Sequence, residues 1–323
     1  MKIAISFFLL LSSFILSAQQ DFTDAIVRNF PQKNIFLFGE YHFVNEKYAE
    51  IATLSKALIA KVSRGDSILI IAEMPYSFNK VAEEFCQSGI SQDWDNYFHA
   101  FGSESNKLSS YWSSYKLLLE ELRTSCIRAG IKLKIVGVDV EKSLVITANG
   151  LRRYINKEKH PKITATLDSI ITRDELNKNS LNRTLIRGIL ATLANDTSAT
   201  YALEIKHIAA GFEADCTICS IRDTQMFENF KHNFSSNYAL TIGTFGLAHL
   251  RDTLCIPPLP KQPVIEFPKR TIKGDTLPYP TFFNLFQPSL KEKSIIIGIV
   301  AQFQDINFST FRKEIELIGY NEN

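Results

Sequence analysis

Five short apolar runs, each bounded by turn residues or acids, limit the fold of this chain more than any other feature. They are Ile35–Phe38, Ile68–Ala72, Leu133–Val138, Ala239–Ile242 and Ile295–Val300. None alternates apolar with polar residues, so each reads as a strand covered on both faces, as in a parallel sheet between helix layers. The intervening chain supplies the helices. Tyr48, Ile51, Leu54, Leu58 and Val62 recur at helical spacing and predict a helix from about Glu46 to Lys61. Leu117 to Ile127 predicts another. Strand and helix in alternation define an α/β chain with a mostly parallel central sheet flanked by helices. The stretch from about 147 to 220 is helix-rich without a clear strand, and reads as a helical insertion between two βα halves. Cys255–Pro288 holds eight of the eleven prolines and reads as irregular surface chain.

The first residues are set apart from this pattern. Lys2 precedes an apolar run from Ile3 to Leu16, and Ser17-Ala18-Gln19 follows. This is the layout of a secretory signal peptide over residues 1–18, leaving residues 19–323 as a single α/β domain exported to the periplasm or the cell exterior. The run is short against the roughly 20 apolar residues that a membrane span needs, and no later segment reads as a span. The 36 lysines and arginines are scattered among 34 acids, so the concentrated basic face of a nucleic-acid binder is missing. The expected partner is a small-molecule or peptide substrate, and the oligomeric state is left open. Of the five cysteines, Cys86, Cys126, Cys216, Cys219 and Cys255, at least one stays unpaired within the chain. Cys216 and Cys219 form a C-x-x-C with no second pair and no nearby histidine pair to complete a zinc site.

In an open parallel sheet, ligands bind beyond the carboxyl ends of the strands. The first strand ends in Gly39-Glu40-Tyr41-His42 and the second in Glu73-Met74-Pro75. The third ends in Gly137-Val138-Asp139, and the fourth runs through Gly243 and Gly246 to His249. Glu40, His42, Glu73, Asp139 and His249 therefore crowd one rim, which packing alone does not require. Asp139 has a competing role as the cap of a helix starting near Glu141. A predicted helix from Asp215 to His232 places Arg222, Met226 and Asn229 on one face. There Arg222 is a candidate clamp for an anionic group, with Asn229 as its support. The competing role for Arg222 is a surface pair with Asp223 or Glu228. No G-x-S-x-G context is present, so water is the expected nucleophile.

These pieces together carry a resemblance. Gly39-Glu40-Tyr41-His42 and Gly246-Leu247-Ala248-His249 are two Gly-x-x-His motifs around a strand-end Glu73. Val136-Gly137-Val138-Asp139 matches a Gly-x-Asp strand, and Arg222-Asp223 with Met226 and Asn229 matches an Arg-Asp-x-x-Met-x-x-Asn helix. In this order, from about Asn34 to Leu250, they resemble the superfamily of erythromycin-esterase-like proteins, haem-uptake ChaN-like proteins and TraB/Tiki proteases. The resemblance implies His42, Glu40, Glu73, Arg222 and His249 as catalytic residues, with Asp139 and Asn229 supporting them. Its protease branch implies a divalent metal on His42, Glu73 and His249. Its ChaN branch implies haem, with Tyr41 as the candidate ligand. The chain departs from the esterases in placing only Tyr41 between Glu40 and His42 and in having Phe43 next.

The leading expectation is an exported hydrolase of ester or amide bonds. His42 or Glu40 would activate water, Glu73 would orient and charge-balance an imidazole, and Arg222 with His249 would stabilise the oxyanion. The alternative is a haem- or iron-compound-binding protein without turnover. The first test is export. Intact-mass spectrometry of the native protein is expected to show a chain starting near Gln19, and a retained Met1 would count against a cleaved leader.

Overall fold

A computed structural model describes residues 23–40, 47–103, 109–172, 180–195, 201–214, 219–246, 249–250, 281–299 and 317–318. The proposed leader, Tyr41, His42, Cys216, Cys255 and most of the proline-rich segment lie outside the described residues.

All five apolar runs are strands: β1 (Ile35–Glu40), β2 (Ser67–Pro75), β3 (Lys132–Asp139), β4 (Leu240–Gly246) and β5 (Ser294–Ile299). They lie in the order β3-β2-β4-β1-β5 and pair in parallel throughout. A two-residue strand, β6 (Leu317–Ile318), adds antiparallel to β5. Successive side chains of a strand leave on opposite faces, which is why the runs are apolar without a break. Phe36, Phe38, Ile68, Ile70 and Ile242 enter one core, and Ile35, Leu37, Leu69, Ile71 and Val136 enter the other.

The first core is closed by helices α1 (Lys47–Ile59), α2 (Asn79–Ser88), α3 (Gln92–Ser103) and α4 (Ser109–Ala129). Helix α4 starts well before Leu117. Tyr111, Tyr115, Leu118, Leu122 and Cys126 form its buried stripe, whereas Leu117 and Ile127 are exposed. The aromatic residues at its start hold that turn against the sheet. Then come α5 (Leu144–Arg152), α6 (Pro161–Thr172), α7 (Ser180–Ala194) and α8 (Ala202–Glu213), followed by α9 (Cys219–Asn233). Helices α5–α8 are the insertion expected near 147–220. They bury Leu151, Leu167, Ile186, Leu190, Ile208 and Phe212 in a third core that reaches the sheet through Tyr76. Helix α9 covers the second face with Met226 and Phe230. Thr281–Phe286 corrects the reading of 255–288 as surface chain throughout. Phe282, Phe283 and Phe286 are buried in the second core, just before the short helix α10 (Pro288–Glu292). Each such side chain contributes about 1.5–3 kcal/mol when fully buried.

The connections explain where a site can form. Those from β1 to β2 and from β2 to β3 run toward the β3 edge over the first face. Those from β3 to β4 and from β4 to β5 run the other way, with α9 and Phe282 on the second face. Right-handed crossovers require that reversal of face. Because β1 and β4 are neighbours, the chain leaves their carboxyl ends toward opposite faces, which makes a topological switch point between Glu40 and its register partner Gly246.

Next to it, β2 slips register against β3 between Ala72 and Pro75. Gly137 admits the slip, because a Cβ there would stand 2.4 Å from the Pro75 carbonyl oxygen. Gly188 in α7 has nothing within 4 Å of a built Cβ. Gly137→Ala is therefore expected to cost about 1–3 kcal/mol through overpacking. Gly188→Ala should gain about 0.5–1 kcal/mol through helix propensity. Urea denaturation of both variants checks the contrast, which equal effects would contradict.

Candidate functional site

The site is built on Glu73. Leu69, Ile71 and Glu73 alternate onto the second face of β2, so the carboxylate stands just past the apolar core beneath α9. Helix α9 is pinned there by Met226 and Phe230 in the core. Asn229 also pins it, donating from Nδ2 to the Val138 carbonyl at 2.9 Å. Two turns earlier, Arg222 reaches over the strand ends. Its Nε and Nη2 donate to Asp139 Oδ1 and Oδ2, both at 2.8 Å, and Nη2 also donates to Glu73 Oε1. The other Glu73 oxygen accepts the Gly246 backbone N–H at 2.5 Å. Thus β2, β3 and β4 are tied together at their carboxyl ends through one arginine and one carboxylate.

His249 joins from the turn after β4, held in place by the buried Leu250. Its Nε2 lies 3.4 Å from Glu73 Oε1, and its Nδ1 lies 2.5 Å from Asp223 Oδ1. Asp223 Oδ2 accepts the Phe282 backbone N–H at 3.0 Å. Lys142, half-exposed at the rim, pairs with Asp139 Oδ2 at 2.5 Å. Three carboxylates (Glu73, Asp139, Asp223) thereby meet two cations, Arg222 and Lys142, and an imidazole. Burial by itself raises a carboxyl and lowers an imidazole, and here the partners outweigh it. Burial works against Asp139, but Lys142 and Arg222 hold its carboxyl below the usual range. Burial likewise opposes the Arg222 charge, and Asp139 and Glu73 overcome it and hold the guanidinium charged. Burial would lower His249, yet Glu73 and Asp223 push it up to about 9. At neutral pH His249 is therefore an imidazolium, and three carboxylates face three cations. Removing one member of such a buried network costs about 3–5 kcal/mol.

Of the residues singled out by the sequence, Glu73, Asp139, Arg222 and His249 come together. His42 and Tyr41 lie outside the described residues. Arg222 pairs with neither Asp223 nor Glu228, and Asp139 is not a helix cap. Helix α5 starts at Leu144, and Ser143 caps it by accepting from the Ile146 N–H. Two expectations are corrected. Asn229 does not brace the guanidinium: its amide serves Val138, Gln225 and His207. Glu40 does not share a face with Glu73. Alternation sends it to the first face with Phe36 and Phe38. There its carboxylate accepts the hydroxyls of Tyr48 and Tyr111 at 3.1 and 3.0 Å.

Asp223 is the member that sequence reasoning missed. Along the sequence it reads only as a surface partner for Arg222. The signal was present: Asp223, Phe227 and Phe230 share one helical stripe, so the acid lies in line with the apolar face.

The cofactors implied by the resemblance can be set against this geometry. A divalent metal between Glu73 and His249 does not fit it. Both Glu73 oxygens accept hydrogen bonds, and the Arg222 guanidinium stands against the carboxylate. The candidate haem ligand, Tyr41, lies outside the described residues.

No protein-family model and no curated protein matches the chain. Among solved structures it is similar to the crystal structure of a protein from Bacillus cereus. The identity is 16% and the TM-score 0.44, over 83% of this chain and 65% of that one. The chain thus spans about two thirds of that protein's length. Among the described residues, no helix is long and apolar enough to cross a membrane.

The pH dependence of stability should report the imidazolium. His249 binds its proton more tightly folded than unfolded, so its contribution is complete below pH 6.5 and is lost as pH rises through about 9. The buried Glu141 carboxyl, pushed up to about 7 by burial, loses its own contribution lower, between about 4.5 and 7. Between pH 7 and 9, unfolding free energy from urea titrations is therefore expected to fall by roughly 1 kcal/mol per pH unit. His249→Gln should flatten that limb, and an equal slope in both proteins would contradict the assignment.

Proposed function

We propose that this chain is an exported hydrolase that cleaves an ester or amide bond of a small-molecule or peptide substrate by attack of activated water. The observation that carries this reading is the pair of cations, Arg222 and the His249 imidazolium, held by buried carboxylates at the strand ends beside the β1/β4 switch point. Export rests on the Lys2–Ala18 pattern of the sequence.

The chemistry follows from charge. Attack of water on a carbonyl places negative charge on its oxygen, and preorganised donors at that position lower the barrier. Arg222 commits Nε and Nη2 to Asp139 and Glu73, while Nη1 hydrogen-bonds to none of the described residues. It is the guanidinium edge left for an oxyanion. His249 presents Nε2–H on the same side of Glu73. A group protonated up to about pH 9 acts as a donor here, not as the base. The base is assigned to His42, two residues past Glu40 in the sequence. Glu40 and Gly246 are register partners, so β1 ends beside the strand end where the Gly246 amide meets Glu73. With Glu40 engaged by two tyrosine hydroxyls on the other face, His42 is favoured over it.

A panel of activated esters and short peptides tests the reading. The wild-type protein should turn over at least one class. His42→Ala should keep its thermal midpoint, with a stability change within about 0.5 kcal/mol, and lose roughly 10²–10⁴-fold in rate. Wild-type protein inert across the panel would overturn the hydrolase reading, and an unchanged rate in His42→Ala would remove His42 from it.

A further inference from the structure

Adjacent residues on a helix point about 100° apart, so Arg222 and Asp223 at the start of α9 work in two directions. Arg222 turns to the ends of β2 and β3, and Asp223 turns to the chain after β4. Asp223 is buried, with 5% of its side chain exposed, and both of its oxygens are engaged. Oδ1 faces His249 Nδ1 at 2.5 Å, and Oδ2 accepts the Phe282 N–H at 3.0 Å. A backbone N–H can only donate, and it fixes one oxygen of the carboxylate. The other oxygen, an acceptor, then requires a proton on His249 Nδ1. That choice leaves Nε2 as the ring nitrogen facing the site, 3.4 Å from Glu73 Oε1.

We infer that Asp223 is the positioning residue of the site: it fixes the orientation of His249 and keeps Nδ1 protonated, so that Nε2–H is presented to the substrate oxygen. This role rests on the hydrolase reading for its use in turnover, but its structural content does not. Asp223 itself touches no reacting atom. It acts through the imidazole, and Phe282 ties that imidazole to the aromatic core behind it. Among the described residues, the charged groups around the ring are Asp223 and Arg222 from α9 and Glu73 from β2, with Asp139 and Lys142 behind Arg222. The two carboxylates flank the two ring nitrogens, so the imidazolium is the form that satisfies both.

Asp223→Asn separates this role from simple packing, because the amide is nearly the same size. The Phe282 N–H again needs an acceptor, so the Asn oxygen turns to it and the Asn NH₂ faces His249. Two donors cannot meet, so Nδ1 must give up its proton and become an acceptor. The ring is then neutral, with its proton on Nε2. The measurement is nitrogen-detected NMR on the full mature chain labelled at histidine, with the His249 signals identified by their loss in His249→Gln.

In wild-type protein His249 should show a protonated Nδ1 at neutral pH. Asp223→Asn should stay folded by circular dichroism and lose the Nδ1–H signal while keeping the ring proton on Nε2. Its hydrolytic rate at pH 7 should drop on the order of 10²-fold for one weakened donor. A folded Asp223→Asn protein that keeps the Nδ1–H signal would overturn the inference. So would a wild-type His249 whose Nδ1 carries no proton at neutral pH, a result that needs no variant to fold. The ring-nitrogen readout decides the role of Asp223 whether or not any ester or amide is cleaved, so its failure is distinct from failure of the hydrolase reading.

Discussion

The arrangement at the strand ends depends on one carboxylate. Glu73 accepts the Arg222 guanidinium on one oxygen and the Gly246 amide on the other, with His249 alongside. A buried carboxylate is tolerated only when its charge is met and its lone pairs are used. Each partner must therefore be in place, and each is delivered by a different element: α9, the end of β4 and the turn that follows it. The ionic cluster thereby does for the rim what apolar burial does for the sheet below it.

Topology decides why the cluster is where it is. The sheet order puts β4 between β2 and β1, so β4 and the turn after it bring Gly246 and His249 to the strand that carries Glu73. Meanwhile the reversal of crossover direction at β1 and β4 opens the sheet end between them. Alternation along β1 and β2 assigns the two acidic strand ends to different environments. Glu73 faces α9 and its arginine, and Glu40 faces α1 and α4 with their tyrosines. Two glutamates that look equivalent along the chain become an anchor for cations and an acceptor for phenol hydroxyls.

The aromatic segment at Thr281–Phe286 links core and site. Phe282 packs on Phe245 with ring centroids 4.7 Å apart and donates its backbone N–H to Asp223. A residue that belongs to the second core by its side chain thus belongs to the site by its backbone. A change in the packing of that core would be felt at the imidazole through a single hydrogen bond.

Local pattern determined the strands, the α/β class and the helical insertion, because continuous apolar runs and 3.6-residue stripes are properties of a few adjacent residues. It also brought forward Glu73, Asp139, Arg222 and His249, since strand ends and helix faces can be counted along a chain. What it missed has a common cause. The start of α4, the burial of Phe282, the partner of Asn229 and the face of Glu40 each depend on what lies across a contact from a distant part of the chain. Asp223 is the sharpest case. Its place on an apolar helical stripe was legible, but its partner His249 is 26 residues away and Phe282 is 59. Only the folded chain brings a helix, a post-strand turn and an aromatic segment around one imidazole, and only that enclosure sets its charge. Sequence determined which residues carry the chemistry; tertiary structure decided which of them are paired and which proton each holds, because pairing and desolvation act through space and not along the chain.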